Sequence, residues 1–254
     1  MKRPIVFYLS ALILLLGCIS CTTTPKYEYS PGTRIGIVNL LGDRATHYHY
    51  SSARIDSFTK KYDVDWELPE YVTDRITKIL QKEGRYTIIE MEKADIEDLR
   101  NLQRGKYDPT DPAAEKKPEW AIQLNSLAGR HDLDVILAVY SYKGPSLHNI
   151  GSHRVDLEGY GVFSRWVIPL KLLPFKNAYS YAQIKVAVYK GNPVELIATG
   201  RSKSKQTKIK NFDWSGGPKN VPVSEINKAW PGVRKYAQKS IKRALRYSDL
   251  ITTE

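Results

Sequence analysis

The chain has 254 residues, of which 42% are hydrophobic and 26% are charged, a composition that is ordinary for a globular protein and excludes a chain too poor in apolar residues to bury a core. It carries 39 Lys and Arg residues against 27 Asp and Glu residues, which gives a net charge of +12. This excess favours an anionic partner, such as nucleic acid, lipid headgroups or an acidic cell-wall glycan.

The amino terminus has the pattern of an export signal. Met1-Lys2-Arg3 is positively charged, and the apolar run from Ile5 to Leu16 is shorter than the roughly 20 residues that span a bilayer. Leu15-Leu16-Gly17-Cys18 follows and resembles the lipobox of bacterial lipoproteins. The resemblance implies a signal peptide over residues 1–17, cleavage before Cys18 and acylation of its thiol. Acylation of Cys21 and an uncleaved amino-terminal anchor are the alternatives.

An acylated Cys18 would hold the protein on the lipid bilayer. Ile19 and Ser20 follow Cys18, and lipoproteins retained in the inner membrane of enteric bacteria usually carry Asp at the first of these two places. The analogy therefore implies sorting to the inner leaflet of the outer membrane, facing the periplasm. Without residues 1–17, 37 basic and 27 acidic residues remain, a net charge of +10. In that compartment the expected partners are peptidoglycan and envelope proteins, and nucleic acid is not expected.

Residues 18–33 have the composition of a lipidated tether, and residues 34–254 are predicted to form a single periplasmic domain. Arg34 to Leu41 predicts a buried strand. Residues 43–65 are polar and rich in Tyr and His, which fits either an extended excursion or a solvated strand near residues 55–61. Residues 68–83 predict a helix whose apolar positions share one face: Leu68, Val72, Ile76, Ile79 and Leu80.

The middle of the chain alternates strands with helices. Residues 85–90 predict a strand, residues 95–102 a short helix, and residues 133–140 a third strand. Residues 119–131 predict a helix with four apolar positions, Ile122, Leu124, Leu127 and Ala128. The order strand, helix, strand, helix, strand implies right-handed crossovers and an at least partly parallel sheet.

The second half of the chain has an antiparallel pattern. Residues 151–169 and 179–188 alternate, Gly191-Asn192-Pro193 is a turn, and residues 194–199 predict a returning strand. A helix follows, with a first part from Ser224 up to Pro231 and a main part whose apolar stripe is Val233, Tyr236, Ala237, Ile241, Ala244 and Leu245. The predicted fold class is therefore α/β (α+β), with a mixed sheet followed by an antiparallel hairpin and a C-terminal amphipathic helix.

Catalytic signatures are absent from the sequence, which has no GxSxG elbow, P-loop or HExxH motif. His47 and His49 would share a strand face as metal ligands do, and His148 and His153 could join them, but a solvated loop is the favoured interpretation. Two pairs of acids, Asp95 with Asp98 and Asp132 with Asp134, lie at predicted helix ends or turns. We therefore expect no catalytic residue, no metal and no cofactor.

The predicted interaction surface is a basic, tyrosine-rich patch, because tyrosine offers a large contact area at low entropic cost. It comprises Tyr179, Tyr181, Lys185, Tyr189, Arg201, Lys203 and Lys205. The basic face of the closing helix is interpreted as an ordinary solvated face.

The order RIGIVNLL, amphipathic helix, KEGRYTIIE, second helix and LDVILAVYSYKG resembles periplasmic lipoproteins with an α/β domain like the amino-terminal domain of the translocation protein TolB. This group includes the CsgG-like curli secretion lipoproteins, and the matching stretch is residues 34–143. The resemblance implies a non-catalytic binding or assembly module of the cell envelope. One alternative is a subunit of an outer-membrane secretion pore, which needs hairpin strands of about 9–11 residues and would require oligomerisation. The other alternative is an envelope hydrolase.

Overall fold

The structure is a computed structural model that describes residues 27–51, 56–104, 118–145, 155–167, 175–201 and 206–252. Cys18 and Cys21, and with them the predicted signal peptide and lipidation site, lie outside the described residues. None of the helices in the described ranges is long and apolar enough to cross a bilayer.

Strands and helices alternate in the first half of the described chain, and strands dominate the second. In chain order the elements are β1 (Thr33–Asn39), β2 (Arg44–Ser51), β3 (Phe58–Asp63), α1 (Leu68–Lys82), β4 (Tyr86–Ile89), α2 (Lys93–Arg104), α3 (Pro118–His131), β5 (Val135–Ser141), β6 (Lys143–Pro145), β7 (Asp156–Val167), β8 (Phe175–Lys190), β9 (Glu195–Arg201), β10 (Thr207–Lys208), a 3₁₀ turn (Pro218–Asn220), α4 (Val223–Asn227) and α5 (Trp230–Tyr247).

The predicted mixed sheet and α+β class are confirmed. β1 pairs in parallel with β4 on one edge and with β5 on the other, as the predicted crossovers require. Helix α1 buries Leu68, Val72, Ile76 and Leu80, the spacing expected of one helical face. The helix ends at Lys82, and Gly84 follows in the left-handed conformation (φ 68°) that glycine adopts at low cost.

The central strand of the sheet is β8, and its two halves pair with different strands. Its residues 184–190 pair with β5, whereas residues 175–183 pair with β7. β9 and β10 also pair with β8, at residues 185–190 and 179–180. The complete path is β3-β2-β7-β8-β5-β1-β4, in which β2 and β7 are parallel. Residues 179–180 and 185–190 therefore have neighbours on both edges, which satisfies their backbone groups and allows them to be buried.

Helix α5 packs across β8 and β9 with the predicted stripe. Val233, Tyr236, Ala237, Ile241, Ala244 and Leu245 are all buried in the main hydrophobic cluster. The helix approaches β9 most closely at Gly200, where an added Cβ would lie 2.1 Å from the carbonyl oxygen of Ser240. Glycine is therefore required at this position for the helix and the sheet to touch.

Several predicted boundaries need correction. The closing helical region starts at Val223 rather than Ser224, and it breaks after Asn227 before α5 begins at Trp230. Ile122 is 58% exposed, and Trp120 takes its predicted place in the core beside Leu124. The buried positions of α3, Trp120, Leu124, Leu127 and Ala128, are spaced i, i+4, i+7 and i+8 and share one helix face, which Ile122 does not.

The polar stretch 43–65 contains more structure than predicted. It forms β2 and β3, which pair with each other antiparallel, and β2 is mostly buried rather than solvated. The end of the predicted tether is also folded onto the domain. The backbone N–H of Tyr27 donates to the Asp249 carboxylate at 3.2 Å, and the Tyr29 hydroxyl donates to the carbonyl of Ser248 at 2.7 Å.

Candidate functional site: a basic groove beside a buried histidine pair

Two histidines and a serine form a buried polar cluster between β2 and β7. His47 and His49 lie on one face of β2, because residues two apart in a strand share a face. Parallel pairing sets His49 opposite Ser164 of β7. The Ser164 hydroxyl lies 2.6 Å from Nε2 of His47 and 2.8 Å from Nδ1 of His49. His47 and Ser164 have no exposed surface, and His49 is 3% exposed.

The Ser164 hydroxyl limits the hydrogen bonds that the two imidazoles can make. It has one proton and two lone pairs, so it can donate to at most one ring and must accept from at least one. The remaining ring nitrogens, Nδ1 of His47 and Nε2 of His49, are buried without a hydrogen-bond partner among the described residues. For two neutral rings, at least one of these nitrogens is therefore an unpaired lone pair, and each carries a desolvation cost.

An aromatic shell keeps both imidazoles neutral. The ring of Phe58 stacks on His49 at 5.2 Å and meets His47 edge-on at 5.3 Å, while Phe212 and Trp214 close the other side. Burial lowers the pKa of His47 to about 3, with smaller contributions from His49 and the Lys60 ammonium. Burial likewise lowers the pKa of His49 to about 4, although Asp56 opposes the shift.

This cluster does not have the arrangement that nucleophilic catalysis needs. A reactive serine must meet its substrate, and Ser164 has no accessible surface. Among the described residues neither imidazole has a carboxylate partner to orient it, and no group of three His, Cys, Asp or Glu side chains is placed to hold a metal ion. His148 and His153, predicted as further ligands, lie outside the described residues. The cluster is therefore a neutral, buried support for the surface above it.

A groove of about 450 Å³ lies beside that support, where the amino-terminal end of β8 meets the segment following β10. Its lining combines cations, amides and aromatic rings: Lys176, Asn177, Ala178, Lys208, Ile209, Lys210, Asn211, Phe212 and Trp214. Phe212 and Trp214 belong to both features, since they contact each other at 4.8 Å and also face the histidines. The histidine pair thus lies directly behind the aromatic wall of the groove.

The loop that forms this wall is held in place by charged hydrogen bonds. Glu225 accepts from the backbone N–H of Asp213 at 2.7 Å and from the Lys228 ammonium, which also donates to the carbonyl of Asn211 at 2.7 Å. Asp213 itself accepts from the backbone N–H and hydroxyl of Ser215, and these bonds lower its carboxyl pKa. The groove is consequently preorganised on the side of Asn211.

The predicted tyrosine surface is not exposed. Tyr179, Tyr181, Lys185 and Tyr189 are 8%, 1%, 4% and 4% exposed, because they lie on the central strand of the sheet. Among the described members of the predicted set only Arg201 is exposed, and its carbonyl accepts a hydrogen bond from Arg243. Lys203 and Lys205 lie outside the described residues. Lys176, Lys208 and Lys210 of the groove are also exposed basic residues.

The acid pairs serve structural roles. Asp95 is buried and joins α2 to α3 through Arg130, at 2.6 Å, and His131, at 2.8 Å. Asp134 accepts from the backbone N–H of Arg34 at 2.8 Å and so ties the starts of β1 and β5 together. These carboxylates orient elements of the fold.

A second basic surface runs along α5. It is formed by Arg234, Lys235, Lys239, Lys242 and Arg246, all of which are exposed. Tyr247, next to Arg246, is an exposed aromatic residue at the end of this helix. The surface resembles the solvated face that the sequence predicts.

Comparison with known proteins adds little to this description. No protein-family model matches the chain, and no curated protein matches it. A solved structure, that of the hypothetical protein CT253 from Chlamydia trachomatis, is 12% identical and covers 81% of this chain and 98% of its own, with a TM-score of 0.27. A likeness at that score carries no weight for either fold or function.

Proposed function

We propose that this protein is a lipid-anchored, non-catalytic binding module of the bacterial cell envelope. Acylated Cys18 would hold it at the inner leaflet of the outer membrane, and the folded domain would face the periplasm. Its partners would be envelope proteins or peptidoglycan. The observation that carries the binding role is the preorganised groove whose wall supplies Lys208, Lys210 and Trp214.

The burial of both faces of β8 favours this role over a subunit of a secretion pore. The strand is long enough to enter a membrane, but helix α5 packs against one of its faces, and Tyr179, Tyr181 and Tyr189 on the other face are buried as well. Neither face of β8 is exposed over residues 178–189 in this fold. The inaccessible hydroxyl of Ser164 likewise disfavours an envelope hydrolase.

The anchor is tested by metabolic labelling with an alkyne fatty acid. We expect Cys18→Ser to abolish labelling and to release or mislocalise the protein, because the thiol is the predicted acylation site. Cys21→Ser is the matched control and should be labelled like the wild type. Labelling that persists in Cys18→Ser, or that is lost in Cys21→Ser, would contradict the assignment.

The partner face is tested by cross-linking in cells. A photo-reactive amino acid introduced at position 211, on the rim of the groove, should give cross-links to envelope components, whereas one at position 61, an exposed position of β3, should not. Equal cross-linking from both positions would mean that the groove is not the partner face.

A further inference from the structure

Cations outnumber acids around the groove. Lys176, Lys208 and Lys210 line it, and none of the described lining residues is acidic. Lys208 and Lys210 are exposed and form no ion pair within the described residues, whereas Lys176 lies over the ring of Trp166 at 4.4 Å. The acid nearest in sequence, Asp213, is a carboxylate that accepts from Ser215, and it offsets only part of this charge. Three ammonium groups around one concavity therefore attract an anionic ligand.

The remaining lining is suited to sugar rings. Trp214 is half-buried and braced by Phe212, so it can present a flat apolar surface without losing much side-chain freedom. Asn177 and Asn211 each offer an amide donor and acceptor of the kind that pairs with hydroxyl groups. The groove volume lies within the range of about 300–1,000 Å³ that is usual for small-molecule sites.

Taken together, these groups discriminate among anions. A simple phosphate needs cations but no aromatic platform, and an acidic peptide needs a backbone-pairing edge or apolar pockets. A glycan with carboxylates uses all three kinds of group, because its C–H face packs on an indole, its hydroxyls bond amides and its carboxylates pair with ammonium groups.

We propose that this groove binds a carboxylate-bearing glycan, with Lys208 and Lys210 pairing with carboxylates and Trp214 packing against a sugar ring. The proposal rests on the proposed function, since it names the ligand class of the same groove. It extends that function, because the proposed function allows a module that binds only envelope proteins, whereas this proposal requires that the groove bind a glycan.

The test measures binding of the purified, acylated protein, held in detergent, to purified peptidoglycan sacculi. We expect Lys208→Gln/Lys210→Gln to weaken binding at least about tenfold, the loss that corresponds to one or two charge-assisted contacts. Lys235→Gln/Lys239→Gln on α5 is the charge-matched control and should bind like the wild type. Because all four side chains are exposed, both double variants should keep the wild-type unfolding temperature.

Two further arms identify the chemistry of the ligand. Sacculi whose carboxyl groups have been converted to neutral amides should lose binding, and inorganic phosphate should compete no better than chloride at equal ionic strength. The proposal is overturned if the groove variant binds normally, if the α5 variant weakens binding equally, if amidated sacculi still bind, or if phosphate displaces the protein. Failure here, with normal labelling of Cys18 and cross-links to envelope proteins, would leave the proposed function standing.

Discussion

The buried histidine pair makes the stability of this protein sensitive to mild acid. Both imidazoles are neutral in the folded state, with pKa values of about 3 for His47 and about 4 for His49, against about 6.5 in an unfolded chain. As the pH falls below about 6.5, the unfolded chain binds protons that the folded chain does not. The free energy of unfolding must therefore decrease with decreasing pH through this range.

The size of the effect follows from the two shifts. Between pH 7 and pH 5 each histidine should reduce the free energy of unfolding by about 2 kcal/mol, so the pair should remove about 4 kcal/mol. This is a large part of the total free energy of unfolding of a typical domain, which is about 5–15 kcal/mol. The assay is urea-induced unfolding of the purified protein, followed by circular dichroism at intervals of half a pH unit.

The control for this experiment is His47→Gln/His49→Gln. Glutamine retains a donor and an acceptor for Ser164 but does not titrate, so the double variant should lose about 4 kcal/mol less than the wild type between pH 7 and pH 5. The comparison between the two proteins cancels the contributions of all groups outside the pair. Equal losses in the two proteins would refute the assignment of neutral, buried imidazoles.

Two further substitutions test the packing of the fold. Gly200→Ala should lower the free energy of unfolding by at least about 2 kcal/mol in urea titrations, because its Cβ would meet the Ser240 carbonyl at 2.1 Å. Gly129→Ala, which meets nothing within 4 Å in helix α3, should be neutral or stabilising, and a harmless Gly200→Ala would disprove the close approach. Asp95→Asn should cost about 1–3 kcal/mol and speed hydrogen exchange in α2, because it removes the ion pair with Arg130 and alters the hydrogen bond with His131. Asp98→Asn on the exposed side of α2 is its control, and similar exchange in the two variants would contradict the anchoring role.

The helices and the parallel strands were predictable because each carries its own periodic signal. The stripe of α5 and the buried face of α1 follow from apolar residues three and four positions apart, and the order of the elements dictates the crossovers. Ile122 was wrongly placed on the buried face, because it lies only two positions before Leu124 and residues two apart do not share a helix face. Trp120 has the spacing that the core requires, four positions before Leu124, and it packs edge-on against Tyr140 of β5.

Strand β2 could not be recognised from its composition. Its sequence RATHYHYS is polar, and polar strands are normally solvated, yet both histidines are buried, and a serine 117 and 115 positions away gives each ring one hydrogen bond. The burial of Tyr181 has a similar cause. Its hydroxyl donates to the carbonyls of Thr46 and Glu158. These hydrogen bonds satisfy the polar end of the tyrosine inside the protein, although tyrosine is also well suited to a surface.

The position of the groove follows from the unequal lengths of neighbouring strands. β8 has 16 residues, but β10 pairs with it only at Ser180 and Tyr179. Beyond that pair the N–H of Ile209 still donates to the carbonyl of Ala178, and the chain then turns away across the aromatic shell of the histidines. The cations beside this turn belong to a basic run that is visible in the sequence. Their convergence with Lys176 and Trp214 depends on where the pairing ends, which is a property of the sheet and not of any segment within it.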